Sequence, residues 1–178
     1  MALPQTGELG MDFGNRIANI FQMDDRTWAR HANPWSGATR IPILPALCAV
    51  IFFRDSLGGL MWPILAILVI WAFWNPRAFS EPTSTKNWMS EAVFGERVWL
   101  NRKEVPIPQH HARAATLLSI LPIAGILPMV YGLVVLNPAA TALGCALTVL
   151  FKLWFLDRMV WLYRDMAPSH TEYDAWQR

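Results

Sequence analysis

Between Ala114 and Leu136 the chain runs for 23 residues without a charged side chain. A helix rises 1.5 Å per residue, so about 20 apolar residues cross the ~30 Å hydrocarbon core of a bilayer. Inside that core every backbone group must find its partner within the protein, which leaves helices and closed barrels as the spanning structures. The run is therefore expected to be a transmembrane helix. Leu57 to Trp74 gives a second, 18 residues without a charge. Ala139 to Leu156 gives a third, interrupted only by Lys152, whose stem can carry its ammonium group to the nearer surface. Ile41 to Phe53 is shorter, 13 apolar residues bracketed by Arg40 and Arg54. Snorkelling at both ends stretches it to a span; a re-entrant segment is the alternative. Composition points the same way, with 54% hydrophobic and 16% charged residues, against about 25% charged in soluble domains. A net charge of +2 argues against a nucleic-acid partner. Two cysteines, Cys48 and Cys145, exclude a disulfide scaffold or a four-Cys zinc module.

The expected fold is all-α: four transmembrane helices as two antiparallel hairpins, with interfacial amphipathic helices on the cytoplasmic side. Residues 1–40 form an N-terminal segment, 41–74 the first hairpin, 75–113 a linker, 114–156 the second hairpin and 157–178 a helix extension and tail. Asn137-Pro138 makes the second turn, since proline suits the first turn of a helix. Ala140, Thr141, Ala142, Gly144, Cys145 and Ala146 form small pairs four apart, which let backbones approach in lipid. Gly125 and Gly132 on the preceding span are their natural partners. Of the 15 Lys and Arg residues, 14 fall in the N-terminal segment, the linker and the C-terminal end, leaving Arg54 alone opposite. The positive-inside rule then places both termini and the linker in the cytoplasm of a prokaryotic inner membrane. The N-terminus carries no secretory signal pattern.

Three polar stretches converge on that cytoplasmic face. In the first, Phe13, Ile17, Ile20 and Phe21 form one stripe of a short amphipathic helix, followed by Arg30-His31-Ala32-Asn33-Pro34-Trp35-Ser36. In the second, Trp88 to Arg102 suits an amphipathic helix, with Gly95 marking a break or a close approach. Its charged edge includes Glu96, a candidate general acid or base. Pro108 suits position N1 of the third span, which puts His110 and His111 in its first turn. The positive end of the helix dipole keeps such rings neutral. Adjacent helical residues do not face the same way, so one metal takes both rings only if the turn is irregular. In the third stretch the fourth span continues as Asp157 to Asp165 and stops at Met166-Ala167-Pro168. Asp157 is expected to pair with Arg97, Arg102 or Arg113 across the bundle. Trp28, Trp35, Trp88, Trp99 and Trp161 read as interfacial anchors.

These residues define one candidate constellation. His31, His110 and His111 with Asp157 could hold a single metal ion, and three ligands with an open position make a catalytic site. His110, His111 or Glu96 could act as base or acid over a headgroup, with Arg102, Arg113 and Arg158 neutralising its phosphate. Four histidines are too few for a membrane di-iron hydroxylase, and none lies inside a span, so no haem is expected between spans. No phosphate loop, nucleophile elbow or paired-Cys redox motif is present.

The strings His31-Ala-Asn-Pro-Trp-Ser36, Asn87-Trp-Met-Ser90, Gly95-Glu-Arg-Val-Trp-Leu-Asn-Arg-Lys103, His110-His111 and Lys152-Leu-Trp-Phe-Leu-Asp-Arg-Met-Val-Trp-Leu-Tyr163 together resemble a family of small uncharacterised prokaryotic polytopic membrane proteins, a domain of unknown function. The resemblance covers about Trp28 to Met166. It implies a helical membrane fold and carries no activity. The ten tryptophans and the size are also similar to the tryptophan-rich sensory proteins that bind porphyrins and sterols, but their motif strings are absent. The leading reading is a Trp-rich, non-catalytic membrane protein: an accessory or assembly subunit of a larger membrane complex, or a binder of a hydrophobic ligand. The alternative is an enzyme acting on a lipid or isoprenoid headgroup through a His/carboxylate site, with or without metal.

Overall fold

The computed structural model describes residues 24–178. The stripe Phe13, Ile17, Ile20, Phe21 lies outside the described residues. Within them the chain is helix and loop, in the order α1 (Asp25–His31), α2 (Pro34–Arg40), α3 (Ile43–Phe52), α4 (Arg54–Leu57), α5 (Met61–Ala78), α6 (Trp88–Leu100), α7 (Gln109–Ile120), α8 (Pro122–Val135), α9 (Pro138–Met166) and α10 (Thr171–Asp174). Single 3-10 turns at Gly58–Leu60 and Ala167–Ser169 join neighbours. Four stretches are long and apolar enough to cross a membrane: Pro34–Phe52, Arg54–Ala78, Gln109–Val135 and Pro138–Ser169.

The first of these starts earlier than the apolar run 41–53 suggests. Asn33 caps α2, its Oδ1 accepting from the Trp35 amide at 3.0 Å, and Pro34 occupies the first turn. Helical residues therefore continue through Arg40, whose Nε donates to the Ser36 carbonyl at 3.2 Å. The resulting 19 residues reach about 28 Å. Arg40 lies within the stretch instead of bracketing it. The third stretch also starts earlier than its apolar run, at Gln109. Pro108 is the residue before the helix, not its first position. Pro122 has no N–H to donate, which interrupts the ladder between α7 and α8.

The turn at 136–138 forms as the sequence implies. Leu136 adopts the left-handed conformation (φ 55°) that closes α8, and Asn137 caps α9 by accepting from the Ala140 amide at 3.0 Å. The second hairpin packs backbone to backbone: a Cβ on Gly144 would collide with the Met129 amide, and one on Gly125 with Thr148. Lipid is as apolar as leucine, so such close approach is what holds helices together there. Of the small pairs, Thr141 and Cys145 are buried, while Ala142 and Ala146 stay exposed.

At 29 residues, α9 is about 43 Å long. That exceeds a hydrocarbon core by about 13 Å, and its charged last third becomes the mast of a second, denser layer. Here α6 crosses α9 at Gly95, where any side chain would strike the Met159 carbonyl. The glycine marks close approach; the helix is unbroken. Val98, Leu162, Tyr163, Met159, Phe94 and Ala115 form the core of this layer. Ion pairs tie its rim: Lys152 to Glu96 and Arg164 to Glu91, both at 2.7 Å, and Arg97 to Asp25. The C-terminus closes it, with the Thr85 amide donating to the Arg178 carbonyl at 2.9 Å. This layer is termed the polar end.

Candidate functional site

The polar end holds two separate histidine assemblies. The first is buried. His31, Ser36 and Asn75 have relative exposures of 4%, 0% and 0%. The turn Asn33-Pro34 folds Ser36 back beneath His31, and α5 delivers Asn75 from 39 residues away. Thr39 Oγ1 donates to the Trp35 carbonyl at 2.7 Å, so it must accept from Asn75 Nδ2 at 2.8 Å. That orients the amide, whose Oδ1 accepts the single Ser36 proton at 2.7 Å. Ser36 Oγ can then only accept from His31 Nδ1, at 3.1 Å. The network thus selects the Nδ1–H tautomer and leaves the Nε2 lone pair without a hydrogen bond among the described residues. Burial, and after it the charges of Arg40 and Lys152, hold the His31 pKa well below its usual 6.5. Neighbouring contacts lock the assembly: Arg30 donates to the Phe79 and Arg77 carbonyls, and Ser90 Oγ to the Ala32 carbonyl at 2.6 Å.

The second assembly is at the surface. His111 Nε2 lies 2.7 Å from Asp165 Oδ2, and His110 Nε2 lies 4.0 Å from the same oxygen. The two rings lean together, 4.1 Å between centroids at 39°. From the second and third residues of α7, both rings turn toward the one Asp165 carboxylate. His111 is buried, whereas His110 and Asp165 are 71% and 50% exposed. One ligand atom from each of the three lies within 4.8 Å of the others.

Neither His31 nor Asp157 joins this cluster. His31 is committed to Ser36, and Asp157 accepts from Trp88 Nε1 at 3.2 Å and from its neighbour Arg158 at 3.1 Å. The pairing of Asp157 with Arg97, Arg102 or Arg113 therefore gives way to Trp88, across the bundle on α6, and to the adjacent Arg158. Glu96 is taken by Lys152. Of the three candidate phosphate cations, Arg102 stacks on Trp99 at 4.0 Å and Arg158 on Trp161 at 5.5 Å. Arg113 is exposed, one turn beyond His110. Burial lowers the Arg102 pKa. Among the tryptophans, Trp35 and Trp161 are exposed, while Trp28 and Trp99 pack against the core and Trp88 holds Asp157.

Asp165 is the residue that sequence reasoning missed, though a signal existed. In an antiparallel hairpin, residues equidistant from the turn lie level. His111 precedes Asn137 by 26 residues (137 − 111), and Asp165 follows it by 28 (165 − 137), whereas Asp157 follows by only 20 (157 − 137).

A third feature lies away from the polar end. α3 and the first half of α9 enclose a groove of about 650 Å³, lined by Pro45, Ala49, Phe52, Ala142, Ala146 and Leu150 among others. Its walls are almost wholly apolar, and the Thr141 hydroxyl is internally satisfied by the Asn137 carbonyl at 2.9 Å. Cys48 and Cys145 are free thiols on its floor.

Four candidate spans, an all-helical chain and a charged end layer define a small helical membrane-type protein. The chain belongs to a family of unknown function, DUF6653, whose model matches residues 12–178. No curated protein and no solved structure matches it.

Proposed function

We propose that this chain is a non-catalytic, multi-pass protein of a prokaryotic plasma membrane that holds a chain-like apolar molecule, an acyl or isoprenoid tail, in the groove between α3 and α9. The groove is the observation that carries this reading. Its 650 Å³ falls in the ~300–1,000 Å³ range of ligand sites. Alanines at 49, 142 and 146 provide the space, and no unpaired polar group on its walls asks for a headgroup. No histidine lines it: from Leu150, the last lining residue on α9, to Asp165 is 15 residues (165 − 150), about 22 Å along α9. That separation favours holding over converting. The 14 basic residues in the N-terminal segment, the linker and the C-terminal stretch of the sequence, against Arg54 alone in the first turn, support cytoplasmic termini.

The test is saturable labelling in membranes by a palmitoyl phospholipid carrying a photoreactive group near the chain end. Label is expected in peptides spanning residues 142–150, and Ala146→Trp, which fills the groove, abolishes it while leaving expression and melting intact. Equal labelling of the wild type and Ala146→Trp would overturn the reading. The second reading, an enzyme of lipid or isoprenoid headgroups, draws on the exposed His110, His111 and Asp165. It predicts a product released from the headgroup and no effect of Ala146→Trp on turnover.

A further inference from the structure

The surface cluster goes beyond tail binding. We infer that His110, His111 and Asp165 form a binding site for one divalent first-row transition ion, of the zinc or ferrous-iron class. The donor set sorts the metals. Two imidazoles and one carboxylate suit zinc and iron, whereas magnesium and calcium call for oxygen ligands throughout. Geometry comes next. An ion with bonds of about 2.0–2.1 Å in tetrahedral array holds its donors about 3.3 Å apart. The two separations from Asp165 Oδ2, 2.7 Å and 4.0 Å, bracket that value. Loading the site asks for sub-ångström to ångström shifts, and the exposed His110 and Asp165 side chains are free to make them.

The scaffold explains why such a trio persists. His111 is seated in the wall of the polar end, and Asp165 sits in the last turn of α9, one residue from the Arg164–Glu91 ion pair. One ligand is therefore rigid, one is held by a braced helix, and the third closes from solvent. Three protein ligands leave a coordination position open to water or to an incoming anion. Arg113 is exposed three residues beyond His110 on the same helix. His31 and Asp157 play no part in the set.

The experiment is calorimetric titration of the purified full chain, in mild detergent and carrying a tag free of histidine, with Zn²⁺ and, under anaerobic conditions, with Fe²⁺. One ion per chain is expected. Changes to groups that merely orient metal ligands weaken binding by about 10–100-fold, so His110→Ala and Asp165→Asn should each weaken it by at least about tenfold. Both positions are exposed, so neither variant is expected to misfold. His170→Ala, at a histidine whose ring stacks on Tyr173 instead, and Asp157→Asn should bind as the wild type does. Co²⁺ should develop visible d–d bands that Asp165→Asn removes. Absence of saturable binding of either ion would overturn the inference, as would His110→Ala and Asp165→Asn titrating like the wild type. Because the groove lies at the other end of α9, failure here leaves the Ala146→Trp result untouched, and the reverse holds too.

Discussion

The two ends of α9 live in different physics. Its N-terminal half packs on α8 through glycines and small residues, and neighbouring lipid competes for every contact. The second candidate span shows the extreme: none of its most apolar 18-residue window is buried within the chain. Ile67, Ile70, Phe73 and Trp74 all face outward, a surface that is stable only against hydrocarbon. Its C-terminal third is a small soluble-type core. There Val98 and Leu162 are wholly enclosed, and ion pairs close the edge. Its charged rim suits an aqueous border, where burial of apolar side chains gains the full hydrophobic term. The lesson is that this chain of 178 residues keeps its larger buried cluster around the charged last third of α9, and only a small one between α3, α8 and the first half of α9.

The contrast can be broken most directly by trimming one side chain in the enclosed core and one on the outward face of the second span. Leu162→Ala should cost about 2–5 kcal/mol, read as a large drop in melting temperature in detergent. Ile67→Ala, 65% exposed on the second span, should stay within about 0.5 kcal/mol. Equal losses would mean that the ends are held by the same forces after all.

The next largest effect concerns the buried polar relay. Asn75→Ala leaves the Ser36 hydroxyl and the Thr39 oxygen without their partner. It should cost about 1–3 kcal/mol, more than Asn75→Asp in alkaline medium restores, because a carboxylate accepts from Ser36 but cannot donate to Thr39. Melting curves of the three proteins decide it.

The smallest effect is a slope. His31 has a lowered pKa in the fold and an ordinary value near 6.5 when unfolded. Above pH 6.5 both states are neutral there and the residue contributes no pH dependence. Below it the unfolded chain binds a proton that the folded chain refuses, so stability falls with pH, by up to about 1.4 kcal/mol per unit. Melting temperature should decline below pH 6.5, and His31→Asn, which keeps a donor for Ser36 but cannot titrate, should flatten that arm. An unchanged slope in His31→Asn would assign it to other groups.

The spans were legible because a bilayer imposes a length and forbids unpaired charge, and both constraints can be counted along the chain. Gly95 and the Gly125–Gly144 contacts were legible for a related reason, since glycine in a helix costs stability unless something needs the room. Lys152 was legible only in part. Its need for an escape route was clear, but its partner Glu96 comes from a helix 56 residues away. Arg54 shows the same limit. It donates to the Leu133 carbonyl at 2.8 Å, at the C-terminal end of α8, where orphan carbonyls and the helix dipole both favour a cation.

By itself, then, the sequence determined an all-helical chain with four apolar stretches, a tight turn at Asn137-Pro138 and a one-sided distribution of positive charge. Each of those depends on periodicity, length or local backbone chemistry. Only the tertiary structure decided that His31 is sealed against Ser36 and Asn75, that His110 and His111 turn toward Asp165, and that α3 and α9 part to leave a groove. Those are juxtapositions of residues far apart in the chain, and they depend on how helices cross, which is set by the summed fit of many side chains and by no one stretch of them.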